Sequence, residues 1–599
     1  MKHISILVPV LLLVTFRANA QTISVGDYGT QPNSFADATV AVQKVITAAG
    51  KNAVISFPRG RYDFWPDSAI ETRYYISNTS SEIEFPVKRQ RVGLLFKNMK
   101  NITIEGNGSL FVFHGKMISW AIDSCENITI NNLSVNYERP GMSEMTLQKI
   151  TPTSVEALVH PDSRFSIIDG RLEWYGEKWI TKNYHAVVVK PDQGMLFYSD
   201  WQPFLKSKAT HIGPLQVRFT GDFSRFKADS GNVLTIRDRY RDYVGAFQNR
   251  SNNIRLSNIN MFSMHGLGIV SQFCENLTYQ NVNVAPEEGG GRVIASSADG
   301  MHFSGCKGQI TIDSCRFKGM HDDPVNVHGT HLRVVEKLSP TKLKLRFMHH
   351  QSYGFLPFIA GDSIALLHSK SLEIYQYGII KLAHLVSERD VVVELHKPVA
   401  GVFTAGDAME NITWTPALTI RNSRFEQTIS RGTLVTTRRK VLIENNVYYR
   451  TGMHAILIED DASGWYESGP VKDVFIRNNQ FIECGFNSQP GSYPIHINPQ
   501  NHELIPRHYV HENIRIEGNF FKIFNQPVLS ARSTKGLYFT NNKVEQSLLL
   551  PAGKAKPAFE LTACQNVVIR NNSFYQGYVP DIKTEHMTAA DLKTDIQQR

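Results

Sequence analysis

Long hydrophobic runs are scarce in this 599-residue sequence, and the one at its start is too short to span a membrane comfortably. The first 20 residues, MKHISILVPVLLLVTFRANA, combine a basic residue, an apolar run from Ile4 to Phe16 and the small-x-small ending Ala18-Asn19-Ala20. This order is typical of a cleaved signal peptide, and no cysteine follows to take a lipid. We therefore predict a signal peptide over residues 1–20, no membrane span, and an exported protein that is periplasmic or secreted.

The sequence also lacks concentrated charge of one sign. The formal charge is +9, and it falls to +7 when Lys2 and Arg17 leave with the signal peptide. Lysine and arginine are scattered, and a basic patch is what nucleic-acid binding requires. With 42% hydrophobic and 20% charged residues, the chain is long enough for a large core. These features argue against nucleic-acid binding and against disorder.

Cysteine is scarce, with six residues in the whole chain. Cys125, Cys274 and Cys564 each precede a strand-like segment by the same step, and Cys306 does so with one extra residue. An exported protein with six cysteines invites a disulfide interpretation. A stack of buried thiols in equivalent positions explains the regular spacing better, because free cysteine behaves as a compact hydrophobe.

A short motif recurs along the chain. Each copy is an alternating strand, a turn rich in Asn, Gly or Asp, and a second strand. Clear copies are KNITIEGNGSLFVF, ENITINNLSV, NNIRLSNINMF, ENLTYQNVNV, QITIDSCRF, ALTIRNSRF, KVLIENNVYY, DVFIRNNQF, NIRIEGNFF, GLYFTNNKV and NVVIRNNSF. Neighbouring copies lie about 23 to 33 residues apart, as coils of a solenoid do. We predict an all-β, right-handed parallel β-helix whose turn asparagines bond from coil to coil.

Two long stretches interrupt the repeat and are rich in short alternating segments such as HAVVVK and KLKLRF. We interpret them as two inserted antiparallel β-barrel-like domains. At the start, an amphipathic helix with apolar Val40, Val45 and Ile46 is expected to cover the open end of the solenoid. The predicted division is a cap and first coils over 21–137, an insert over 138–250, central coils with the catalytic site over 251–329, a second insert over 330–412, further coils over 413–575 and a polar tail over 576–599.

Three aspartates lie in the central repeat, Asp299 in SADGMHFSG and the pair Asp322 and Asp323 in GMHDDPVNVHG. We align the segments HGLGIV, DGMHFS, DPVNVH, RGTLVT and HAILIE on their apolar third and fifth positions, so that the fourth and sixth positions face away from the core. The first positions then form a column of His265, Asp299, Asp323, Arg431 and His454. With coils stacked at about 4.8 Å, the aspartates are predicted to share one surface.

Grouped carboxylates repel one another, so at least one is expected to keep its proton near neutral pH. A protonated acid beside an ionised base is what glycoside hydrolysis requires. Two alternatives stay open at this stage: a calcium site made of the same carboxylates, and a solvated acidic turn without a role.

The motifs ADGMHF and GMHDDPVNVHGTHL resemble the α-1,3-galactosidases of glycoside hydrolase family 110, and the resemblance extends over nearly the whole mature chain. It implies release of terminal α-1,3-linked galactose from blood-group B-type and linear α-galactosyl glycans, with inversion and without metal or cofactor. By motif, Asp299 is similar to the family's general acid, and Asp322 with Asp323 to the pair that holds and activates water. Inversion predicts carboxyl groups roughly 6.5 to 9.5 Å apart.

Substrate-binding candidates are assigned by their position near the aspartates. The set is His265, Arg292, His302, His321, Asn326, His328, Arg431 and Glu459. Arg431 is alternatively a structural partner of Asp323, and Trp465 in the loop EDDASGWYESG is a candidate to stack on a sugar face. The expected partner is a glycan ending in α-galactose, and the oligomeric state is left open.

Other functions fit parts of the same pattern. A polygalacturonase-like hydrolase also uses a β-helix and three aspartates, but it should carry a His-bearing GHG turn and an Arg-x-Lys strand, for which this chain offers no convincing match. A calcium-dependent pectate lyase and a non-catalytic glycan-binding β-helix protein are further alternatives.

Overall fold

A computed structural model describes residues 21–181, 184–199, 201–238, 240–400, 406–487, 492–524, 526–550 and 556–596 of the chain. The predicted signal peptide lies outside these ranges. Two α-helices, Thr39–Ala49 and Gln202–Lys206, and two short 3-10 helices, Val25–Tyr28 and Ala589–Asp591, occur in the described ranges. None of these helices is long and apolar enough to cross a membrane.

Most of the chain winds into a parallel β-helix whose coils have three faces. The strands of the first face, several of which bend into the second, are Gln21–Ser24, Lys51–Ser56, Lys100–Phe113, Glu126–Tyr137, Asn252–Met261, Glu275–Val284, Lys307–Asp313, Ala417–Arg421, Val441–Glu444, Val474–Arg477, His511–Glu517, Thr534–Thr540, Gln565–Arg570 and Leu592–Thr594. The separate strands of the second face are Arg61–Phe64, Arg316–Met320, Arg424–Thr428, Val447–Thr451, Gln480–Ile482, Phe520–Phe524, Lys543–Ser547 and Ser573–Phe574.

The third face carries the strand that lies between the second face of one coil and the first face of the next. These are Arg89–Lys97, Ile118–Asp123, Val244–Asn249, Leu267–Gln272, Met301–Ser304, the start of Val325–Lys337, Thr433–Val435, Ile456–Ile458, Ile495–Ile497, Leu529–Arg532, Phe559–Thr562 and Ile582–Glu585. The short strand Ile70–Arg73 pairs antiparallel with the edge strand Arg89–Lys97. Glu467–Ser468 pairs antiparallel with Val325–Lys337 at Gly329 and Thr330, where that strand leaves the third face.

Alternation along the strands produces one apolar column inside the solenoid. On the first face, one inward position is paired from coil to coil through Ile102, Ile128, Ile254, Leu277, Ile310, Leu418, Val441, Val474, Ile514, Leu537 and Val567. All of these side chains are buried. The predicted β-helix is thus confirmed, and its core runs through every coil.

Asparagines fasten the corner between the first and second faces. Asn445, Asn478, Asn541 and Asn571 adopt left-handed backbone angles, and the next residue in each pair joins a buried ladder. Asn479 Nδ2 donates to Asn519 Oδ1 at 3.1 Å, and Asn479 Oδ1 accepts from Asn446 Nδ2 at 3.0 Å. The predicted bonding from coil to coil is present.

The first insert lies between the second and third faces of one coil, since Asn252–Met261 stacks directly on Glu126–Tyr137. Its antiparallel strands are Met142–Thr151, Ser154–Val159, Tyr184–Lys190, Met195–Ser199, Lys208–Gly213, Gln216–Thr220 and Val233–Asp238, with a smaller sheet of Arg164–Ile168, Arg171–Gly176 and Trp179–Thr181. The chain re-enters the solenoid just after Asp238, which brings the end of the insert to the third face.

The second insert continues from the third face, where Val325–Lys337 leaves the solenoid. Six antiparallel strands close on themselves, because the two end strands pair with each other. They are the end of Val325–Lys337, Lys342–Arg346, Asp390–Leu395, Ile374–Leu385, Ser363–Leu367 and Ala408–Asn411. This is a small barrel with its own core around Leu345, Ile364 and Val393.

Two details at the ends differ from the sequence predictions. In the N-terminal helix Val42, Val45, Ile46 and Ala49 are buried, whereas Val40 is 48% exposed. The buried residues are spaced by three and four and share one face of the helix, and Val40, two residues before Val42, lies on another face. At the C terminus, Ile582–Glu585 and Leu592–Thr594 extend the solenoid by part of a coil. Residues 576–596, the part of this segment that the structure describes, are therefore not simply a polar tail. This segment has too few apolar residues for its sequence to show the repeat of the coils.

All six cysteines are free and buried. Cys125, Cys274, Cys306 and Cys564 pack in the apolar column of the solenoid. The thiol interpretation is confirmed, and the disulfide interpretation is wrong.

Candidate active site

The three aspartates lie at the start of adjacent strands on the third face. Met301 pairs with Val325 and Val325 with Thr433, so Asp299, Asp323 and Arg431, each two residues earlier, stand side by side. The Gly300 amide donates to the carbonyl oxygen of Asp323 at 2.9 Å, which joins the two coils at this point. Asp322 directly precedes Asp323. The fold therefore brings together the carboxylates that the sequence separates.

A cavity of about 280 Å³ opens above these residues. Its lining residues are Asn78, Arg241, Asp299, Asp322, Asp323, Asn326, Arg431, Leu434, Met453, His454, Leu457, Glu459, Trp465, Glu467, His496 and Asn498. They come from the third face, from the end of the first insert and from loops on either side. The cavity is closed on several sides and holds every one of the three aspartates.

Asp323 is the most tightly held carboxylate. Its Oδ1 accepts from the Ser430 hydroxyl at 2.8 Å and from the Arg431 amide at 3.1 Å, and its Oδ2 accepts from Arg431 Nη2 at 2.6 Å. Burial raises the pKa of Asp323 to about 7, and the charge of Arg431 acts in the opposite direction. Arg431 is thus the structural partner of Asp323 that the sequence suggested as an alternative, and it also lines the cavity.

Asp322 is held differently and stays more accessible. Its Oδ2 accepts from Arg241 Nη2 at 2.5 Å, while its Oδ1 lies 4.0 Å from Arg431 Nη2. Burial acts to raise the pKa of Asp322, but the charges of Arg241, Arg431 and Arg237 outweigh it and hold the pKa below its usual range. Asp322 is therefore the ionised carboxylate of the group.

Asp299 has the opposite electrostatic setting. It is almost fully buried, and burial together with the charge of Asp322 raises the pKa of Asp299 to about 8. Its Oδ2 lies 2.8 Å from His302 Nδ1. Around neutral pH the site thus contains a protonated Asp299 near an ionised Asp322, which is the pairing that acid–base chemistry needs.

The predicted binding residues divide into three groups. Asn326, Arg431 and Glu459 line the cavity, and burial raises the pKa of Glu459 to about 7. His302 and His328 lie behind Asp299, with their Nε2 atoms 2.9 Å apart. His321, Arg292 and His265 do not line the cavity. His321 Nε2 contacts the Thr235 hydroxyl at 2.8 Å.

Arg292 and His265 serve the packing between the solenoid and the first insert. Arg292 Nη2 donates to the Met142 carbonyl at 2.7 Å and lies 3.2 Å from Glu144. His265 is buried edge-on against Tyr137, with ring centroids 4.7 Å apart. Burial lowers the pKa of His265 to about 3, so it is a neutral packing residue.

The predicted column is wrong at His265. Ile269 pairs with Met301, which places Leu267, not His265, beside Asp299. The apolar Leu267 and Ile269 attract the alignment, but Ile269 and the polar Ser271 are the residues that pair with Met301 and Phe303. Leu267 packs in a separate apolar cluster with Val244 and Val270. A shift of two residues preserves strand alternation, which therefore cannot detect it. The other members of the column are in the predicted register, since Thr433 also pairs with Ile456. His454 accordingly lies beside Arg431 and lines the cavity.

Several cavity residues escaped the sequence analysis because they are not in the repeat. Arg241 follows the last strand of the first insert, Asn78 lies in the loop before Arg89–Lys97, and Glu467 pairs with Val325–Lys337, the strand that leads into the second insert. Asn78 Nδ2 donates to Glu467 Oε1 at 2.7 Å. Trp465, which is 45% exposed, lines the cavity and packs on His349 with ring centroids 4.0 Å apart.

No group of three His, Cys, Asp or Glu side chains in the described ranges has an arrangement that could hold a metal ion. The acidic charges of the cavity face Arg241 and Arg431 instead.

Comparison with known proteins agrees with this arrangement. Family models match three parts of the chain: GLAA-B beta-barrel domain I over residues 143–234, GLAA-B beta-barrel domain II over 342–409, and a right handed beta helix region over 401–586. A Bacteroides fragilis protein named Alpha-1,3-galactosidase A is 45% identical over 606 residues, with 100% of both chains covered. This chain belongs to the alpha-1,3-galactosidase family. Members of the family are glycoside hydrolases.

Other family members and solved structures are more distant. Alpha-1,3-galactosidase B of Bacteroides thetaiotaomicron is 35% identical, with 97% of this chain and 96% of the relative covered. Among solved structures, the A-module of the Azotobacter vinelandii mannuronan C-5 epimerase AlgE4 matches with a TM-score of 0.44 and 7% identity, over 96% of this chain and 99% of that one.

Proposed function

We propose that the protein releases terminal α-1,3-linked galactose from blood-group B-type glycans, linear α-galactosyl glycans or both, with inversion at the anomeric carbon. The observation that carries the proposal is a cavity that contains both Asp299, whose pKa is raised to about 8, and Asp322, whose pKa is held below its usual range. The names of the full-length relatives support galactose as the sugar. Walls from the first insert and from two loops favour a chain end over the middle of a polymer.

In the proposed reaction Asp299 is the general acid. Its proton moves to the glycosidic oxygen while the bond from that oxygen to the anomeric carbon breaks, and the bonding electrons stay with the oxygen. Asp299 becomes a carboxylate and regains a proton from solvent. A pKa of about 8 keeps this group protonated at neutral pH, as a general acid requires.

Asp322 is the proposed base. It binds a water through the more accessible Oδ1, and as the water oxygen bonds to the anomeric carbon, one water proton passes to the carboxylate. Asp323 has both oxygens occupied by Ser430 and Arg431, so its role is to orient Arg431 beside Asp322. The buried Asn326 Oδ1 has no hydrogen-bond partner within the described ranges and is available to a sugar hydroxyl.

Export is part of the proposal. The first 20 residues have the order of a signal peptide, and glycan substrates of this kind occur outside the cell that would use them. The proposed location is the periplasm or the medium.

The test is an assay on the purified mature protein with a blood-group B oligosaccharide and a linear α-1,3-galactosyl glycan. We expect β-galactose as the first product in NMR. D299N should lose about 100- to 10,000-fold in kcat on glycans, but far less on an aryl α-galactoside whose leaving group needs no proton. D322N should be inactive on both substrates.

Two results would contradict the proposal. Release of no galactose from either glycan would reject the specificity. If D322N, rather than D299N, kept its activity on the aryl galactoside, the roles of acid and base would be reversed.

A further inference from the structure

A chain of three hydrogen bonds runs from Asp299 away from the cavity. Asp299 Oδ2 lies 2.8 Å from His302 Nδ1, His302 Nε2 lies 2.9 Å from His328 Nε2, and His328 Nδ1 lies 2.6 Å from the Gly329 carbonyl oxygen. Both histidines are buried and belong to the same face of adjacent coils, where His302 pairs with Asn326 two residues before His328. None of these contacts is needed to hold the solenoid core.

The carbonyl oxygen at the end of this series of hydrogen bonds determines which atom donates in each of them. A carbonyl oxygen only accepts, so His328 Nδ1 must carry a hydrogen. If His328 is neutral, its Nε2 is an acceptor, and His302 Nε2 must then be the donor. A neutral His302 has an acceptor at Nδ1, so the hydrogen between it and Asp299 must come from the carboxyl group.

The proton count gives the same result without assuming where each proton sits. Three hydrogen bonds need three protons, and two neutral histidines supply two. Loss of the third proton leaves two acceptors facing each other at 2.8 or 2.9 Å inside the protein, which is costly because buried polar atoms need partners. The chain therefore opposes ionisation of Asp299.

We propose that His302 and His328 are positioning residues that keep the Asp299 carboxyl group protonated until substrate binds, when its hydroxyl turns from His302 Nδ1 to the leaving oxygen. This inference rests on the proposed role of Asp299 as general acid. It predicts that the two rings act together. If either ring is replaced, nothing determines whether Asp299 or His302 donates in the hydrogen bond between them.

The charges around the two rings are consistent with this role. Glu467 Oε1 lies 3.6 Å from His328 Nε2 but is already bonded to Asn78, and Asp322, Asp323 and Arg241 also face His302. Burial outweighs the nearby carboxylates and lowers the pKa of His302 to about 4. The pKa of His328 is lowered as well, chiefly by burial. Both rings are thus neutral in the working range.

The experiment compares the pH dependence of kcat/KM for H302N, H328Q and the unaltered protein. The Asn and Gln amides can replace the ring nitrogens facing the chain, but an amide can turn and either donate or accept, so the preference for protonated Asp299 is lost. We expect the basic limb of the profile to move down by about one pH unit or more, with activity largely retained on its acidic side. A purely structural role would lower activity equally at all pH values.

H511Q is the matched control, because His511 is buried in a later coil and contacts the Val471 amide, far along the chain from the cavity. Its basic limb should coincide with that of the unaltered protein. A basic limb that stays in place in both H302N and H328Q would overturn the inference.

A second measurement does not depend on activity. Infrared difference spectra of the unaltered protein against D299N at pH 7 should contain the carbonyl band of a protonated carboxyl group, and this band should weaken in H302N. Absence of the band in the unaltered protein would refute the inference even if galactose is released. Presence of the band without any galactose release would instead reject the proposed function alone.

Discussion

At the residue scale, the contacts of the three aspartates differ more than their positions do. Asp323 is fully engaged by Ser430 and Arg431, Asp322 by Arg241 on one oxygen, and Asp299 by a histidine. Since the three groups are otherwise identical, these partners decide which carboxyl group keeps a proton. The division of roles in the site is therefore made by the surrounding charges.

Replacing Arg431 should lower both the rate of catalysis and the stability of the protein. R431M leaves Asp323 buried without its cation and removes the second positive charge beside Asp322. We therefore expect kcat to fall by about 100-fold. We also expect the free energy of unfolding to fall by about 3–5 kcal/mol. Steady-state kinetics and thermal unfolding measure the two effects. R477M, which breaks a pair with Glu444 on the outside of the solenoid, is the control. An R431M protein with unchanged kcat would contradict the assigned role.

Asp299 should also link stability to pH. Its pKa of about 8 is far above that of an unfolded aspartate near 4. Between these values the unfolded chain ionises and the folded protein does not, so stability is lost as the pH rises from about 4 to 8. An asparagine does not ionise, so D299N removes this loss of stability at high pH. We expect D299N to melt at a higher temperature than the unaltered protein at pH 8 and to show a smaller difference at pH 5. An equal difference at both pH values would argue against a raised pKa.

At the scale of elements, the corner asparagines explain why coils of unequal length stack in register. Each buried amide donates to a backbone carbonyl of the preceding coil and to the amide oxygen of the next coil, as Asn479 does with Ile443 and Asn519. Insertions on the third face then leave the first and second faces aligned. The ladder thus holds the coils from Asn446 to Asn572 in register.

A single substitution in the ladder should therefore destabilise the whole domain. N479L is similar in size but removes the acceptor for the Asn446 amide and the donor to Ile443, so we expect a loss of about 2–5 kcal/mol. Urea unfolding provides the measurement. Q480A changes an exposed neighbour on the same strand and should have little effect. If N479L were as stable as Q480A, the ladder would not contribute to stability.

At the scale of the whole molecule, the site exists because the inserts return to one face of the solenoid. Arg241 is delivered by the end of the first insert, and Glu467 pairs with the strand that enters the second. The coils alone would present the three aspartates on an open surface. Arg241 at the end of the first insert, together with Asn78, Trp465 and Glu467 from loops, builds walls around that surface.

The intact mass of the protein expressed from the full sequence tests the proposed signal-peptide cleavage and the state of the thiols together. We expect the mature chain to begin at Gln21, and all six cysteines to react with iodoacetamide after unfolding without a reductant. Under native conditions they should be unreactive, because they are buried. Retention of residues 1–20 would reject the export proposal, and fewer than six reactive thiols would show disulfides that the structure lacks.

The sequence by itself determined the solenoid and the aspartate group. A fold with one apolar column repeats its alternation in every coil, so the strands that contain residues such as Ile310 and Leu418 can each be recognised in the sequence. The aligned segments also place Asp299 beside Asp323. The paired asparagines and the buried cysteines follow the same repeat. Local periodicity carries this information because each coil contacts only its neighbours.

Only the tertiary structure decided the register at His265 and the origin of Arg241, Asn78 and Glu467. A slip of two residues preserves strand alternation, so the sequence cannot place His265 against its neighbours. The other three reach the cavity through non-repeating segments, and which of them meet depends on how the inserts pack on the third face. The protonation of Asp299 follows from that packing, because burial and partner charges are properties of the assembled site.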